Sequence, residues 1–293
     1  MLGPQVSING VLRPTEEAVV SVDDVYFAYG FGVYESMKLR KGVLYFPERH
    51  EERLFHSARI IGIEHNLQPG DLVEHVTALC RANGHESVNL KILLIGGRTA
   101  DDARLYIMQL NPLYPDRKLY KKGASALLQR GERQFPDAKS LNMTMSARAY
   151  QRARAAGAYD ALFEHEDGLI TEGTRTNLFF TDGEHILTPP KHLVLDGVTR
   201  QTILECAADK GYPVQERLVH RGNLPSLPGL FLSSTSSKIM PLSLVMHEEQ
   251  GEHVGQAEHD YSFEIPELVR SLMSDYNTWL DDYAASQEPI VPS

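Results

Sequence analysis

The sequence predicts an α+β protein with two domains, and three observations support that prediction. The length of 293 residues fits one large or two ordinary domains. Strand-like pairs joined by Asn-Gly or Asp-Gly turns occur in both halves of the chain. Amphipathic helical stretches separate these pairs without the regular strand–helix alternation that is typical of a doubly wound parallel sheet. We therefore expect hairpins packed against separate helices.

The first half of the chain begins with two hairpins. In QVSINGVLRP an Asn-Gly pair separates two apolar arms, and GVYESMKL and GVLYF form a second pair joined at residues 40–42. A helix with apolar residues at helical spacing starts at Pro47, and a second helix fits Asp71–Ala82 with Gly84 after its end. The strands VNLKILLIG and RLYIMQL follow.

The segment NPLYPDRKLYKKG contains two prolines and five charged residues. Prolines and charges at this density are typical of a connection between compact regions. We place the linker near residues 114–123 and predict an N-terminal α/β domain over residues 1–116 and a C-terminal domain over residues 117–293.

The second half also mixes hairpins and helices. DALFEHEDGLITEG and NLFFTDGEHILTP each hold an Asp-Gly turn between strand-like arms, and GLFLSS and IMPLSLV read as strands. The tail ASQEPIVPS is expected to be loose. The remaining predicted elements are a strand over Ala124–Gln129, a helix over about Met143–Ala156 capped by Ser140 or Asn142, a helix with Thr199 as its N-cap and Gly211 past its end, and a final helix over about Pro266–Tyr283.

Composition and charge argue against several classes of protein. The net charge is −10, and the longest basic cluster is Lys121–Lys122, so a nucleic-acid surface is not expected. Cys80 and Cys206 lie in amphipathic stretches and are predicted to be buried free thiols. The N-terminal stretch does not resemble a signal peptide, and no apolar stretch approaches the ~20 residues of a membrane span. We expect a cytoplasmic protein without a membrane partner.

Three histidines near the C-terminus raise the possibility of a metal site. His247, His253 and His259 occur in HEEQGEHVGQAEH, but their spacing matches no metal-binding motif. We predict an acidic solvated hairpin with its tip at Gln250–Gly251 and no metal. The chain also lacks a Gly-rich nucleotide loop and a GxSxG nucleophile elbow.

Lys139 lies ahead of a predicted helix start in FPDAKSLNMTMSARA. The N–H groups of a helix start disfavour a nearby cation, and burial would disfavour it further. A neutral amine at this position could act as a nucleophile towards a carbonyl group. The alternative is an exposed loop lysine, which is the commoner situation.

Other segments could bind an anion. Residues 233–237 are five consecutive hydroxyl residues after an apolar strand, Thr199 opens a helix, and Arg53 lies beside an apolar helical stripe. Glu172 stands between two apolar strands. Taken singly, these residues also fit a Ser-rich turn, a helix cap, a rim arginine and a solvated turn residue. Together with a nucleophilic lysine they match the requirements of pyridoxal 5′-phosphate (PLP), which has an aldehyde, a pyridine nitrogen and a phosphate.

The ordered motifs FGVYESMKL, HEERL, DAKSLN, DGLITEGTRTNLF, LDGVTR and FLSSTSSKIMPL resemble those of the class IV, or fold type IV, PLP-dependent aminotransferases. The resemblance extends from about Ile8 to Val245. It implies a smaller N-terminal α/β domain, a larger C-terminal domain with a mixed, barrel-like sheet, PLP in the cleft between the domains, and a homodimer.

The resemblance also implies roles for individual residues. Lys139 is similar to the lysine that holds the cofactor as a Schiff base and moves the substrate proton, and Glu172 is similar to the acid that faces the pyridine nitrogen. The remaining implied positions are Arg53, Thr199, Ser234 and Thr235 at the phosphate, Leu195 and Val198 at the cofactor, and Tyr34 and Lys38 on the substrate side.

The motifs favour a D-amino acid transaminase, which exchanges the amino group of an amino acid with a 2-oxo acid by a ping-pong mechanism. Branched-chain enzymes usually have Gly where this chain has Ser36 and Tyr where it has Met143. The Arg-x-His carboxylate trap of the D-branch is absent, which leaves Arg98 and Arg104 as candidates for the substrate carboxylate. The alternatives are a branched-chain L-amino acid aminotransferase, a 4-amino-4-deoxychorismate lyase and a domain without PLP.

Overall fold

The computed structural model describes residues 1–247 and 260–291. The predicted hairpin tip Gln250–Gly251, and with it His253 and His259, lies outside the described residues. The helices are α1 (Val25–Ala28), α2 (Pro47–Ile61), α3 (Asp71–Asn83), α4 (Arg117–Lys122), α5 (Thr144–Ala155), α6 (Val198–Lys210) and α7 (Glu267–Ala285).

The strands occur in consecutive pairs and runs between these helices, as the predicted hairpins require. They are β1 (Gln5–Ile8), β2 (Val11–Pro14), β3 (Gly32–Arg40), β4 (Val43–Leu44), β5 (Val88–Ile95), β6 (Arg104–Leu110), β7 (Ala124–Arg130), β8 (Asp160–Glu164), β9 (Leu169–Gly173), β10 (Asn177–Thr181), β11 (Ile186–Thr188), β12 (Val214–Glu216), β13 (Val219–His220), β14 (Gly229–Ser234), β15 (Lys238–His247) and β16 (Tyr261–Ser262).

The chain forms two compact units. The first contains residues Met1–Leu113, Asp137–Met143 and Asp282–Ser293, and the second contains Tyr114–Pro136 and Thr144–Asp281. The short segment that holds Lys139 therefore belongs to the first unit, although it follows β7 of the second unit in the sequence. The predicted boundary after residue 116 stays a prediction.

The first unit is built on an antiparallel sheet with the order β2-β1-β6-β5-β3-β4. Residues of β3 alternate between two environments, as the two-residue period of a strand requires. Val33, Met37 and Leu39 lie in the apolar core, whereas Tyr34 and Lys38 are half-buried. Helices α2 and α3 contribute further residues to the same core, including Leu54 and Val76 of the buried set.

The second unit is built on a sheet that closes on itself. The ring runs β10-β14-β15-β7-β8-β9 and returns to β10 through the pairing of Asn177 with Glu172. Closure leaves these six strands without a free edge and makes the sheet barrel-like, as predicted. The β7–β8 and β15–β7 pairs are parallel, and α5 forms the crossover between β7 and β8.

The C-terminal tail is not loose as far as Val291, and for these residues the prediction is wrong. The Ile290 N–H donates to the Gly42 carbonyl over 2.7 Å, and Val291 is 4% exposed within the core of the first unit. Gly42 makes this approach possible, since a Cβ there would lie 2.3 Å from the Val291 carbonyl oxygen. The tail packs because its Ile-Val pair is apolar, which the surrounding polar residues obscured in the sequence.

Three local predictions also need correction. The N-cap of α6 is Gly197 and not Thr199, which lies inside the helix. Helix α5 begins at Thr144, so neither Ser140 nor Asn142 directly precedes it. The predicted linker includes the helix α4, capped by the Asp116 side chain, which accepts from the Lys118 N–H.

The prediction for the two cysteines is confirmed. Cys80 and Cys206 are buried and free, and burial raises the pKa of each thiol to about 11. His247 closes β15 and accepts a hydrogen bond from Arg221 at 2.8 Å. Within residues 1–247 and 260–291, no helix has the length and apolarity needed to cross a membrane.

Candidate active site

The segment that holds Lys139 is fixed to the first unit by its backbone. The Tyr34 N–H donates to the Lys139 carbonyl over 2.9 Å, and the Leu141 N–H donates to the Gly32 carbonyl over 2.8 Å. The Lys139 N–H donates to Ser57 Oγ on α2 over 3.0 Å. These bonds extend the pairing of β3, because the isolated bridge between Val33 and Ser140 lies in the same register. Lys139 therefore projects from a fixed backbone.

The side chain of Lys139 lies over an aromatic ring. Its Nζ is 4.5 Å from the centroid of the Tyr34 ring, and the Tyr34 hydroxyl donates to Met143 Sδ at 3.7 Å. A ring face attracts a cation. Since α5 begins only at Thr144, the helix-start argument used for Lys139 in the sequence does not describe its surroundings.

Arg53 is held by a buried carboxylate that sequence reasoning did not identify. Glu35 on β3 is 0% exposed and accepts from Arg53 Nε at 2.7 Å through one oxygen and from Arg53 Nη2 at 2.7 Å through the other. His50 Nδ1 lies 2.7 Å from the second oxygen. This two-point contact is the strongest geometry for an arginine–carboxylate pair.

The protonation states of this cluster follow from burial and charge. Burial alone would raise the pKa of Glu35, but the Arg53 charge, with His50, outweighs it and holds that pKa well below its usual range. Burial lowers the pKa of His50. The imidazole is therefore neutral, and its Nδ1–H donates to Glu35, because an ionised carboxylate can only accept.

The predicted substrate-side residues have different surroundings. Tyr34 and Lys38 share one face of β3 and are half-buried, whereas Arg98 is exposed. Arg104, at the start of β6, forms an ion pair with Asp24. In the first unit, the structure therefore brings Tyr34 to Lys139 and leaves Arg98 and Arg104 in separate environments.

In the second unit, Glu172 on β9 is 4% exposed, and its carboxylate accepts hydrogen bonds from Arg133 and from the Leu195 backbone. Arg133 Nη1 donates to one of its oxygens at 3.0 Å, and the Leu195 N–H donates to the other at 3.1 Å. Asn177 Nδ2 donates to the Leu195 carbonyl at 2.6 Å, so both sides of the Leu195 residue are fixed. Glu172 is thus a buried anion with a positive neighbour, and not a solvated turn residue.

The start of α6 lies close to this group. Gly197 is the N-cap and supplies no side-chain cap, and Val198 is the first helical residue. A Cβ at Gly197 would lie 2.1 Å from Asn177 Oδ1, so the approach requires glycine. The first N–H groups of α6, including that of Thr199, are directed as in helix ends that bind anions.

The hydroxyl run forms the turn between β14 and β15. Ser234 Oγ and Ser237 Oγ are 2.7 Å apart, and the Ser237 N–H donates to Ser234 Oγ at 3.1 Å. Thr235 is half-buried at the tip. Ser233 Oγ is buried and has no hydrogen-bond partner among the described residues.

The predicted residues thus fall into two groups. The first unit holds Tyr34, Lys38, Arg53, Arg98, Arg104 and Lys139, and the second holds Glu172, Leu195, Val198, Thr199, Ser234 and Thr235. Sequence reasoning missed the residues that position them, namely Glu35, His50, Ser57, Arg133 and Asn177. Only Glu35 gave a signal, as a charged residue at a core position of a strand with alternating apolar residues.

Comparisons with known proteins identify related chains. The family profile described as Amino-transferase class IV matches residues 32–245. The D-alanine aminotransferase of Bacillus licheniformis is 29% identical over 251 residues, which cover 82% of this chain and 88% of that protein. The aminodeoxychorismate lyase of Bacillus subtilis is 26% identical over 266 residues, which cover 86% of this chain and 90% of that protein.

The fold also matches a solved structure. The crystal structure of the branched-chain aminotransferase of Thermoproteus uzoniensis superposes with a TM-score of 0.84 at 23% identity. The match covers 98% of this chain and 99% of that chain. At this identity the likeness establishes the shared fold and not the substrate.

Proposed function

Because the chain belongs to the class IV aminotransferase family, we propose that it is a PLP-dependent transaminase that exchanges the amino group of an amino acid with a 2-oxo acid by a ping-pong mechanism. The observation that carries the proposal is Lys139, whose backbone is fixed by β3 and Ser57 and whose Nζ lies 4.5 Å from the Tyr34 ring centroid. Such a lysine has the fixed origin that a catalytic nucleophile needs.

The chemical groups fit PLP. Ser233 Oγ, buried without a partner among the described residues, neighbours the Ser234–Thr235 turn, and the N-terminus of α6 supplies N–H groups without a side-chain cap. We propose Ser234, Thr235, Thr199 and Arg53 as the phosphate ligands. Leu195 and Val198 would pack against the cofactor.

The other proposed roles follow from the chemistry of the reaction. When bound, PLP supplies an electron sink for negative charge at the substrate Cα. Lys139 would hold the cofactor through its Nζ until the substrate amine displaces it, and the freed Nζ could then move the Cα proton. The Tyr34 ring, 4.5 Å from Nζ at its centroid, limits where that nitrogen can lie. Glu172, with Arg133 at 3.0 Å, holds a negative charge in a buried position suited to a protonated pyridine nitrogen.

We propose a D-amino acid as the amino donor, with a homodimer as the working form. The first support is the similarity to a D-alanine aminotransferase. The second is that this chain has Ser36 and Met143 where branched-chain enzymes usually have Gly and Tyr. Tyr34, Lys38, Arg98 and Arg104 are the proposed substrate-side residues. The similarity to an aminodeoxychorismate lyase supports a second candidate that uses the same cofactor residues.

The cofactor is tested with purified protein. We expect a yellow protein, and borohydride reduction followed by peptide mass spectrometry should find the pyridoxyl group on Lys139. Lys139→Ala should abolish turnover and the reduced adduct but retain some PLP through the phosphate ligands. A protein that stays colourless after addition of PLP, or an adduct on another lysine, would contradict the proposal.

The substrate is tested by half-reactions. D- and L-amino acids are offered in parallel to the PLP form, and loss of its visible absorption is followed. D-amino acids should react faster, and a 2-oxo acid should then restore the absorption. Faster reaction of branched L-amino acids would favour the branched-chain alternative, whereas release of pyruvate from aminodeoxychorismate without a second substrate would identify a lyase.

A further inference from the structure

The first unit buries a complete charge cluster in an apolar layer. Glu35 is 0% exposed, His50 is 2% exposed and Arg53 is 9% exposed. Glu35 occupies a position of β3 between the core residues Val33 and Met37. An apolar residue at this position would avoid the free-energy cost of desolvating a charge. The presence of a carboxylate here therefore indicates a role beyond packing.

The contacts of Glu35 suggest what it does. Its two oxygens bind Nε and Nη2 of Arg53, each at 2.7 Å, which fixes both the position and the plane of the guanidinium. His50 binds the second oxygen at 2.7 Å and restrains the carboxylate in turn. His50 and Arg53 lie on the same face of α2, three residues apart, so one helix and one strand hold the whole cluster.

We propose that Glu35 is a positioning residue for the cofactor phosphate, which acts by orienting Arg53 before the phosphate binds. The inference rests on the proposed function, because it takes Arg53 as a phosphate ligand. An arginine that is already fixed loses less side-chain freedom when it binds an anion.

The expected loss of PLP affinity follows from the side-chain freedom that Arg53 would gain without Glu35. A fully mobile arginine that becomes fixed on binding would weaken binding by roughly thirtyfold, which is about 2 kcal/mol by the relation of 1.4 kcal/mol to each tenfold change. Part of the restraint on Arg53 comes from its packing in α2. We therefore expect loss of Glu35 to weaken PLP binding by about tenfold.

A charge argument predicts the opposite sign. Removing the negative charge of Glu35 would leave the Arg53 charge uncompensated and attract a phosphate more strongly. We expect orientation to dominate, because a buried guanidinium deprived of its carboxylate would turn towards other partners. The sign of the change in PLP affinity therefore tests the proposal.

The experiment compares two ligands that differ only in the phosphate. Full-length protein freed of cofactor is titrated with PLP and with pyridoxal, and Kd is measured for the wild type and for Glu35→Gln. The expected result is about a tenfold weaker Kd for PLP with an unchanged Kd for pyridoxal. A variant that merely disturbs the fold would weaken both ligands equally.

A matched control comes from Glu51, which lies on α2, the helix that carries Arg53. Glu51 is 6% exposed and accepts from the Gly70 and Leu72 N–H groups at 2.8 and 2.9 Å. Glu51→Gln removes a buried charge from the same unit and should leave the ratio of the two Kd values unchanged. In an Arg53→Gln background, Glu35→Gln should have no further effect on that ratio.

The outcomes separate this inference from the proposed function. Wild-type protein that binds no PLP overturns both. Wild-type protein that binds PLP, with an unchanged ratio or tighter PLP binding in Glu35→Gln, overturns the role of Glu35 alone. If Glu35→Gln does not fold, Glu35→Asp keeps the charge but withdraws the carboxylate by one methylene, and it must show the same selective loss of PLP affinity.

Discussion

The Tyr283 hydroxyl connects the C-terminal helix to the start of α2. It accepts from the Phe46 N–H at 3.0 Å, and its ring centroid lies 4.0 Å from that of Phe46. Phe46 is 8% exposed and has a φ of 51°, a conformation that non-glycine residues rarely adopt. The hydroxyl therefore stabilises the unusual backbone from which α2 begins.

Tyr283→Phe removes that oxygen and keeps the aromatic packing. A buried backbone N–H that loses its acceptor costs about 1–2 kcal/mol. The variant should unfold at a lower urea concentration than the wild type with an unchanged slope. Tyr29→Phe is the control, because Tyr29 is 81% exposed and its hydroxyl is available to water.

The pH dependence provides a second measurement. Burial raises the pKa of Tyr283, and the Phe46 N–H opposes that rise only in part. A raised folded-state pKa means that the contribution of the phenol is complete below its unfolded pKa of about 10 and is lost as the pH rises through the folded value. The stability gap between wild type and Tyr283→Phe should narrow above pH of about 10. A gap of the same size from neutral to alkaline pH, or no gap at neutral pH, would refute this reasoning.

Two further predictions concern other buried groups. Val291→Asp should destabilise the protein by about 2–3 kcal/mol, because the tail would leave the core and the new charge would not be buried at its larger cost. The same variant should be cleaved faster by proteases within the tail. Equal urea midpoints for this variant and for the exposed control Gln287→Asp would show that the tail contributes nothing to stability. Burial raises the pKa of Asp160, whose carboxylate accepts from Thr174 and Thr176. The free energy of unfolding of the wild type, relative to that of Asp160→Asn, should therefore fall as the pH rises from about 3.8 through the folded pKa. A constant difference between the two proteins across that range, measured by urea unfolding, would contradict the assignment.

Local sequence patterns determined most of the secondary structure. The two-residue alternation in GVYESMKL predicted β3, and Pro47 with the apolar spacing after it predicted α2. The Asp-Gly pairs at Gly168 and Gly183 form turns with positive φ, as glycine allows. These features depend on residues that are close in sequence, so the sequence alone predicts them.

Family resemblance in the motifs supplied the candidate residues but not their partners. The bond between Arg53 and Glu35 joins a helix to a strand, and the bond between Arg133 and Glu172 spans 39 positions. A single sequence contains no periodic signal for such pairs. Thr199 was mistaken for an N-cap because a capping hydroxyl is the common pattern, whereas Gly197 is required there by the close approach of Asn177.

The sequence by itself determined the α+β class, most of the strands and helices, and the set of residues with suitable chemistry. Only the tertiary structure decided that Glu35 pairs with Arg53, that Lys139 lies on the Tyr34 ring, and that the tail reaches the core through Val291. The physical reason is the separation along the chain over which each kind of interaction acts. Backbone propensity acts over a few neighbouring residues, whereas burial and charge pairing depend on which distant segments the fold brings into contact.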